Sequence, residues 1–144
     1  MTRIDFHFNV SNPENYICRL LRKVYRADQR AVFFSPDQVL VKAIDAGLWA
    51  LSEVDFIPHI HLDEGTHDLS EVIEPIVLLH QELETPHCDI LISGSNETPN
   101  FFGRFERLIE IVSPEISVRE KARERWRWYK DRGYGIQTFD AAKK

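Results

Sequence analysis

The chain has 144 residues, 43% of them hydrophobic and 28% charged, with a net charge of −5. That length suits one domain with an ordinary core, so residues 1–144 are expected to fold as a single unit without disulfides or metals. The acidic balance argues against a protein that coats nucleic acid by bulk electrostatics. No run of 18 apolar residues exists, so no membrane span is expected. The opening residues mix Arg3, Asp5 and His7 with apolar side chains, unlike a secretory leader. The two cysteines, Cys18 and Cys88, form no CxxC pair, and reduced thiols in a cytoplasmic protein are the expectation.

The elements follow in chain order. Ile4, Phe6, Phe8 and Val10 alternate with polar residues, the period of a half-buried strand. Asn12-Pro13-Glu14 reads as a helix start, and Ile17, Leu20, Leu21 and Val24 then share one face of a helix that ends near Arg26. Ala31-Val32-Phe33-Phe34 is a short apolar strand. Ser35-Pro36-Asp37 caps a second helix with Val39, Leu40, Ala43, Ile44 and Leu48 on its apolar face. Residues 55–68 are less regular. Residues 75–80 and 88–93 predict two further strands, residues 94–99 a turn, and residues 107–112 another strand. Ser113-Pro114-Glu115 opens the longest helix, which runs to about Gly133, and residues 134–139 form a short extended tail. The alternation predicts an α/β fold: a three-layer α/β/α sandwich on a mixed, mostly parallel sheet.

Such a fold invites a search for a nucleotide site. The first strand-to-helix turn, Val10-Ser11-Asn12-Pro13-Glu14, has no glycine, and Pro13 lacks an N–H, so backbone donors cannot cradle phosphates there. The expectation is a Rossmann-like fold without a phosphate-binding loop and without a cofactor. Residues 59–68 gather His59, His61, Asp63, Glu64, His67 and Asp68, ligand types for zinc or manganese. Their spacing fits no metal motif, and solvated surface is the simpler reading, so no metal is expected. Cys18 on a helix and Cys88 at the start of a strand read as core thiols. Ser93 and Ser95 flank Gly94 without a G-x-S-x-G elbow. No catalytic constellation emerges.

The last helix is different. Between positions 119 and 132 lie seven Lys/Arg and three acids, a net +4 that leaves −9 for the rest of the chain. At 100° per residue from Arg119, Arg123 falls at about 40°, Arg127 at about 80°, Lys130 at about 20° and Trp126 at about 340°. The cations form one stripe with Trp126 between them and a narrow apolar face of Val118, Ala122 and Tyr129. A solvated basic helix is the simple reading. However, like charges four apart cost about 0.2–0.5 kcal/mol per pair, and guanidinium forks beside an aromatic ring suit carboxylates with an apolar neighbour. Trp49 and Phe56 lie near the end of the second helix and in the irregular stretch after it. Core packing is again the simple reading; exposed together, they would mark an interface centre.

The opening strand, the Ala46-Gly47-Leu48-Trp49 run followed by Phe56-Ile57-Pro58-His59, Asp89-Ile90-Leu91-Ile92-Ser93, residues 105–112, and residues 122–129 followed by Gly133-Tyr134, together resemble the chi subunit of bacterial DNA polymerase III. The likeness spans the whole chain. It implies a non-catalytic adaptor of the clamp-loader assembly in DNA replication. One face would bind the acidic, phenylalanine-ending C-terminal tail of single-stranded-DNA-binding protein, at positions matching Arg119, Arg123, Trp126 and Arg127. Tyrosine is familiar where Trp126 stands and lysine where Arg127 stands; both departures keep the physical role. The other face, matching Trp49 and Phe56, would bind the psi subunit, with a helicase competing for that surface in some bacteria. Nucleic acid would be met only indirectly. Two alternatives stay open: direct single-stranded nucleic-acid binding by the Arg/Trp helix, which the −9 remainder opposes, and a small metal-dependent hydrolase built on residues 59–68.

Overall fold

A computed structural model describes residues 2–51, 56–62 and 72–142. Among these residues seven strands, β1 (Arg3–Phe8), β2 (Ala31–Phe34), β3 (His59–Leu62), β4 (Ile76–Leu79), β5 (Ile90–Ser93), β6 (Arg107–Ile111) and β7 (Ile136–Asp140), form one sheet in the order β3-β4-β2-β5-β6-β1-β7. Among the same described residues three α-helices pack on it: α1 (Pro13–Arg26), α2 (Gln38–Leu51) and α3 (Ile116–Asp131). Strands β2 and β4, and β5 apart from its last residue Ser93, are apolar runs, and all three are buried along their whole length, because a parallel strand is covered on both faces.

Every strand pair in the sheet is parallel, so the expected mixed sheet is corrected to a wholly parallel one. The cause lies at the C-terminal end. The stretch read as an extended tail is β7, and α3 carries the chain back over the sheet so that Ile136 enters beside Ile4 in the same direction. A crossover helix between neighbouring layers imposes that direction.

The three layers are as expected. On one face, α1 (Ile17, Cys18, Leu21, Val24) and α2 (Val41, Ile44, Leu48) cover Phe33, Leu78, Ile92 and Ile109. On the other, Ala122 and Tyr129 of α3, with Phe102 and Phe105, cover Ile4, Phe6, Val32, Leu91 and Leu108. Burying each such Leu, Ile or Phe contributes about 1.5–3 kcal/mol. Asn12 caps α1 through its side-chain oxygen, which accepts from the Asn15 N–H at 3.2 Å, with Pro13 in the first turn. Asp37 caps α2, accepting from the Val39 N–H at 3.0 Å.

Three details differ from the sequence reading. The buried face of α2 is one position round from the expected one: Val41 is buried and Val39 is 77% exposed. Cys88 is exposed rather than a core thiol, because β5 begins two residues later, whereas Cys18 is buried as expected. Part of the stretch read as irregular is the strand β3. Its imidazoles have partners within the fold: His59 bonds Asp45 of α2 at 2.9 Å and the Ile57 carbonyl at 2.7 Å, and His61 bonds His80 at 3.1 Å. Asp63, Glu64, His67 and Asp68 lie outside the described residues.

The α1–α2 contact supplies a test. A Cβ on Gly47 would sit 2.7 Å from Cys18 Sγ, closer than any methyl–sulfur contact. Alanine should gain about 1 kcal/mol of helix propensity, yet crowding in a packed contact costs about 1–3 kcal/mol. Gly47→Ala is therefore expected to lower the urea midpoint, and Cys18→Ala in the same chain to restore most of the loss. A more stable single variant would contradict the packing argument.

Candidate functional site

The inner face of α3 holds an arginine that the sequence reading counted only among the basic run. Arg125 is buried, donating from Nε to Glu110 Oε2 at 2.8 Å and from Nη1 to the Asn96 carbonyl at 2.7 Å. The Tyr129 hydroxyl donates to the same Glu110 oxygen at 3.0 Å. Burial pushes the Glu110 carboxyl above its usual range, opposed in part by the Arg125 guanidinium and by hydrogen bonds from Arg125, Tyr129 and Ser93. Burial and the Glu110 charge push Tyr129 up, so its hydroxyl keeps its proton and stays a donor. Arg125 is thus neutralised internally and is not part of the cationic surface.

The pattern that could have revealed it is visible in the residues. On a helical wheel from Arg119, Arg125 falls at about 240°, bordering the apolar face of Val118, Ala122 and Tyr129 at about 260–300°. Leu108 and Glu110 of β6, with Val112 just beyond its end, take alternate positions facing α3. A charged residue at an inward strand position needs an inward partner, and Arg125 is that partner.

With Arg125 and Tyr129 turned into the sheet, the neighbouring stripe of α3 faces sideways over β1 and β7. Arg119, Ala122, Arg123 and Trp126 wall a cleft of about 240 Å³, whose other side is Phe6 and Phe8 of β1, Val112 and Thr138. Phe6 and Phe8 face it together because they are two apart on a strand, and Thr138 joins them because it pairs with Phe6 in the β1–β7 register. Arg119 and Arg123 stand one helical turn apart on the exposed rim, and Trp126 is partly buried against the core. The Lys130 ammonium lies 4.7 Å from the centroid of the Trp126 ring, a cation–π contact that steadies the indole and adds a further positive charge.

The cleft combines an apolar floor large enough for one aromatic or aliphatic side chain with two guanidinium forks at its mouth. That combination holds a carboxylate whose own side chain is apolar. Of the four α3 residues singled out from the sequence, Arg119, Arg123 and Trp126 line the cleft together. Arg127 is exposed and does not line it; it extends the cationic surface along the helix beyond the cleft.

Trp49 and Phe56 form a second feature. Trp49 is 52% and Phe56 58% exposed, and their rings lie 6.0 Å apart. Trp49 rests on His59, ring centroids 4.8 Å apart, and His59 is held by Asp45 and Ile57. The two rings sit beside β3, at the sheet edge opposite β7. Core packing does not account for two large rings left this open. Among the described residues no three His, Cys, Asp or Glu side chains are grouped to hold a metal, and no helix is long and apolar enough to cross a membrane.

A family model described as DNA polymerase III chi subunit, HolC, matches residues 1–137. The chain is 31% identical over 141 residues to the DNA polymerase III subunit chi of Pseudomonas aeruginosa, covering 95% of each. It is 26% identical over 129 residues to that of Escherichia coli (strain K12), covering 90% of this chain and 86% of the relative. With that of Haemophilus influenzae it shares 26% identity over 125 residues, covering 87% and 85%. From the N-terminal strand through α3 the chain belongs to the DNA polymerase III chi subunit family.

Proposed function

We propose that the chain is a non-catalytic, cytoplasmic adaptor in the clamp-loader assembly of the replicative DNA polymerase III. It would hold the C-terminal tail of single-stranded-DNA-binding protein on α3 and the psi subunit on the Trp49/Phe56 surface. The cleft carries the first half of this reading: Arg119 and Arg123 flank an apolar floor closed by Trp126, which suits an acidic chain that ends in phenylalanine. The last ring enters the cleft, its α-carboxylate meets the two guanidinium forks, and acidic residues upstream run out toward Arg127. The paired rings support the second half. Exposed Trp and Phe side by side are the usual anchors of a protein interface, and a helicase competing for psi would use the same two rings.

An exposed, largely ionic site with one apolar anchor is expected to bind at micromolar levels, about −8 kcal/mol, and to weaken with salt because exposed charges are screened over roughly 8–10 Å. Calorimetric titration of an acidic peptide ending in phenylalanine, then of the same peptide without that residue, checks the cleft. The full peptide is expected to bind at least about tenfold more tightly, the contribution of one well-buried apolar side chain. Arg123→Ala is expected to lose about 1–3 kcal/mol, as for a charged hydrogen bond. Arg127→Ala, outside the cleft, is expected to lose less. Equal affinity for the two peptides would reduce α3 to a basic surface and remove the tail assignment.

For the other surface, Phe56→Ala is expected to shift stability by no more than about 0.5 kcal/mol, since the ring is exposed. It is expected to weaken psi-subunit binding by about 2 kcal/mol, as for an interface anchor, and to leave tail binding unchanged. Thermal melts alongside co-elution with psi read both effects. Undiminished psi binding, or a collapse in stability, would contradict the assignment.

A further inference from the structure

A second cationic stripe lies on the opposite face of the sheet from α3. Residues 19–26 of α1 contain Arg19, Arg22, Lys23 and Arg26 and no acid. Taking Arg19 as the origin at 100° per residue, Arg22 falls at about 300°, Lys23 at about 40° and Arg26 at about 340°, all opposite the buried face of Ile17, Leu21 and Val24. Like charges at i,i+4 lower helix stability, so the stripe is not what folds α1. Arg19 and Lys23 make no ion pair among the described residues.

Beside this stripe run two cavities of about 430 and 450 Å³ that share Tyr16 and Ala141 and so form one groove between α1 and β7. One end is at Arg19 and the other at Lys23 and Arg107. The floor between them is Leu20, Val24, Ala27 and Phe139, the last 43% exposed. His7 lies below, bonded through Nδ1 to the Tyr16 hydroxyl and packed on Phe139 at 5.0 Å. Burial lowers His7 to about 4, helped by Arg107 and Lys23 and opposed by Asp5, so the floor adds no charge at neutral pH. The groove does contain one carboxylate, Asp140, which accepts from Asn9 Nδ2 at 3.1 Å and from the Ala142 N–H at 3.0 Å. Arg107 is paired with Asp5. Among the described residues β7 pairs only with β1 and is the last strand of the sheet, and its C-terminal end lines the groove.

We infer that this groove is a docking site for an extended, acidic segment of a partner protein that carries apolar side chains among its carboxylates. The cationic rim selects the negative charge, the apolar floor takes side chains that a sugar–phosphate backbone does not have, and β7, as an edge strand, is placed to pair with an added strand. A polyanion with a phosphate at every nucleotide is disfavoured by the net charge of −5. The inference is independent of the α3 cleft, from which the sheet separates it.

The test is an amide NMR titration of the full chain with a ten-residue peptide of alternating aspartate and leucine, and in parallel with a ten-nucleotide thymidine oligomer. The peptide is expected to give saturable shifts at Leu20, Lys23, Phe139 and Ala141. These shifts should persist in Arg123→Glu. They should need about tenfold more peptide in Arg19→Glu/Lys23→Glu, a change typical of reversed charges at an interface, or in Arg19→Gln/Lys23→Gln should charge reversal disturb the fold. Shifts confined to α3, loss of the groove shifts in Arg123→Glu, no saturable shift, or tighter binding of the oligomer in the groove would each overturn the proposal.

Discussion

The ion pair between Glu110 and Arg125, completed by Tyr129, sets the rotation of α3 about its own axis. A carboxylate with no solvent exposure cannot stand alone in this interior, and removing one member of such a pair costs about 3–5 kcal/mol. Because Arg125 and Tyr129 are four residues apart, both reach Glu110 only when one face of α3 points at β6. Arg119, Arg123 and Trp126 lie roughly 100–160° round the helix from Arg125. Fixing the inner face therefore places them at the side, over Phe6 and Phe8. A hydrophobic pair in place of Glu110 and Arg125 could be as stable, but it would tolerate small rotations of α3 that two hydrogen bonds to one carboxylate oxygen do not. The cleft is thus built before any ligand arrives, which spares an ordering cost on binding.

The sheet order gives the two proposed surfaces their separation. β3, beside Trp49 and Phe56, is one edge strand; β1 and β7, beside the α3 cleft, close the other edge. At about 4.8 Å per strand the two surfaces stand roughly 24–29 Å apart across a rigid parallel sheet. The two surfaces share no residue and lie at opposite ends of the sheet, which is the geometry an adaptor requires. The first strand-to-helix turn, where related architectures hold phosphates, is occupied by the Asn12 cap and Pro13. No glycine there lets a phosphate approach the backbone.

Much of this was legible in the residues. Strands buried on both faces are unbroken apolar runs, so β2, β4 and β5 were plain, and the caps Asn12 and Asp37 marked the starts of α1 and α2. Edge strands are covered less completely and lose that mark. β3 reads His59-Ile60-His61-Leu62, and β7 is exposed at Gln137, Thr138 and Phe139, so one looked irregular and the other looked like a tail. Missing β7 as a strand also hid that the sheet is parallel throughout. At the site, the spacing of Arg119, Arg123 and Trp126 located the cleft's helical wall. Its other wall, Phe6, Phe8 and Thr138, comes from strands far away in sequence and could not be placed beside α3 without the strand order. Arg125 is hidden for a different reason: a sum of charge along a helix carries no information on which way each side chain faces.

On the proposed reading, α3 stays held against β6 while the cleft beside it receives the last ring of an acidic chain. A crystal structure of the protein with an acidic peptide ending in phenylalanine tests this most directly. The expected result is that ring seated among Phe6, Phe8, Ala122 and Trp126, its terminal carboxylate between Arg119 and Arg123, and α3 unmoved against β6 with the Glu110–Arg125 pair intact. A peptide lying along Arg127 and Lys130 with the cleft empty, or a rotated α3 with that pair broken, would contradict it.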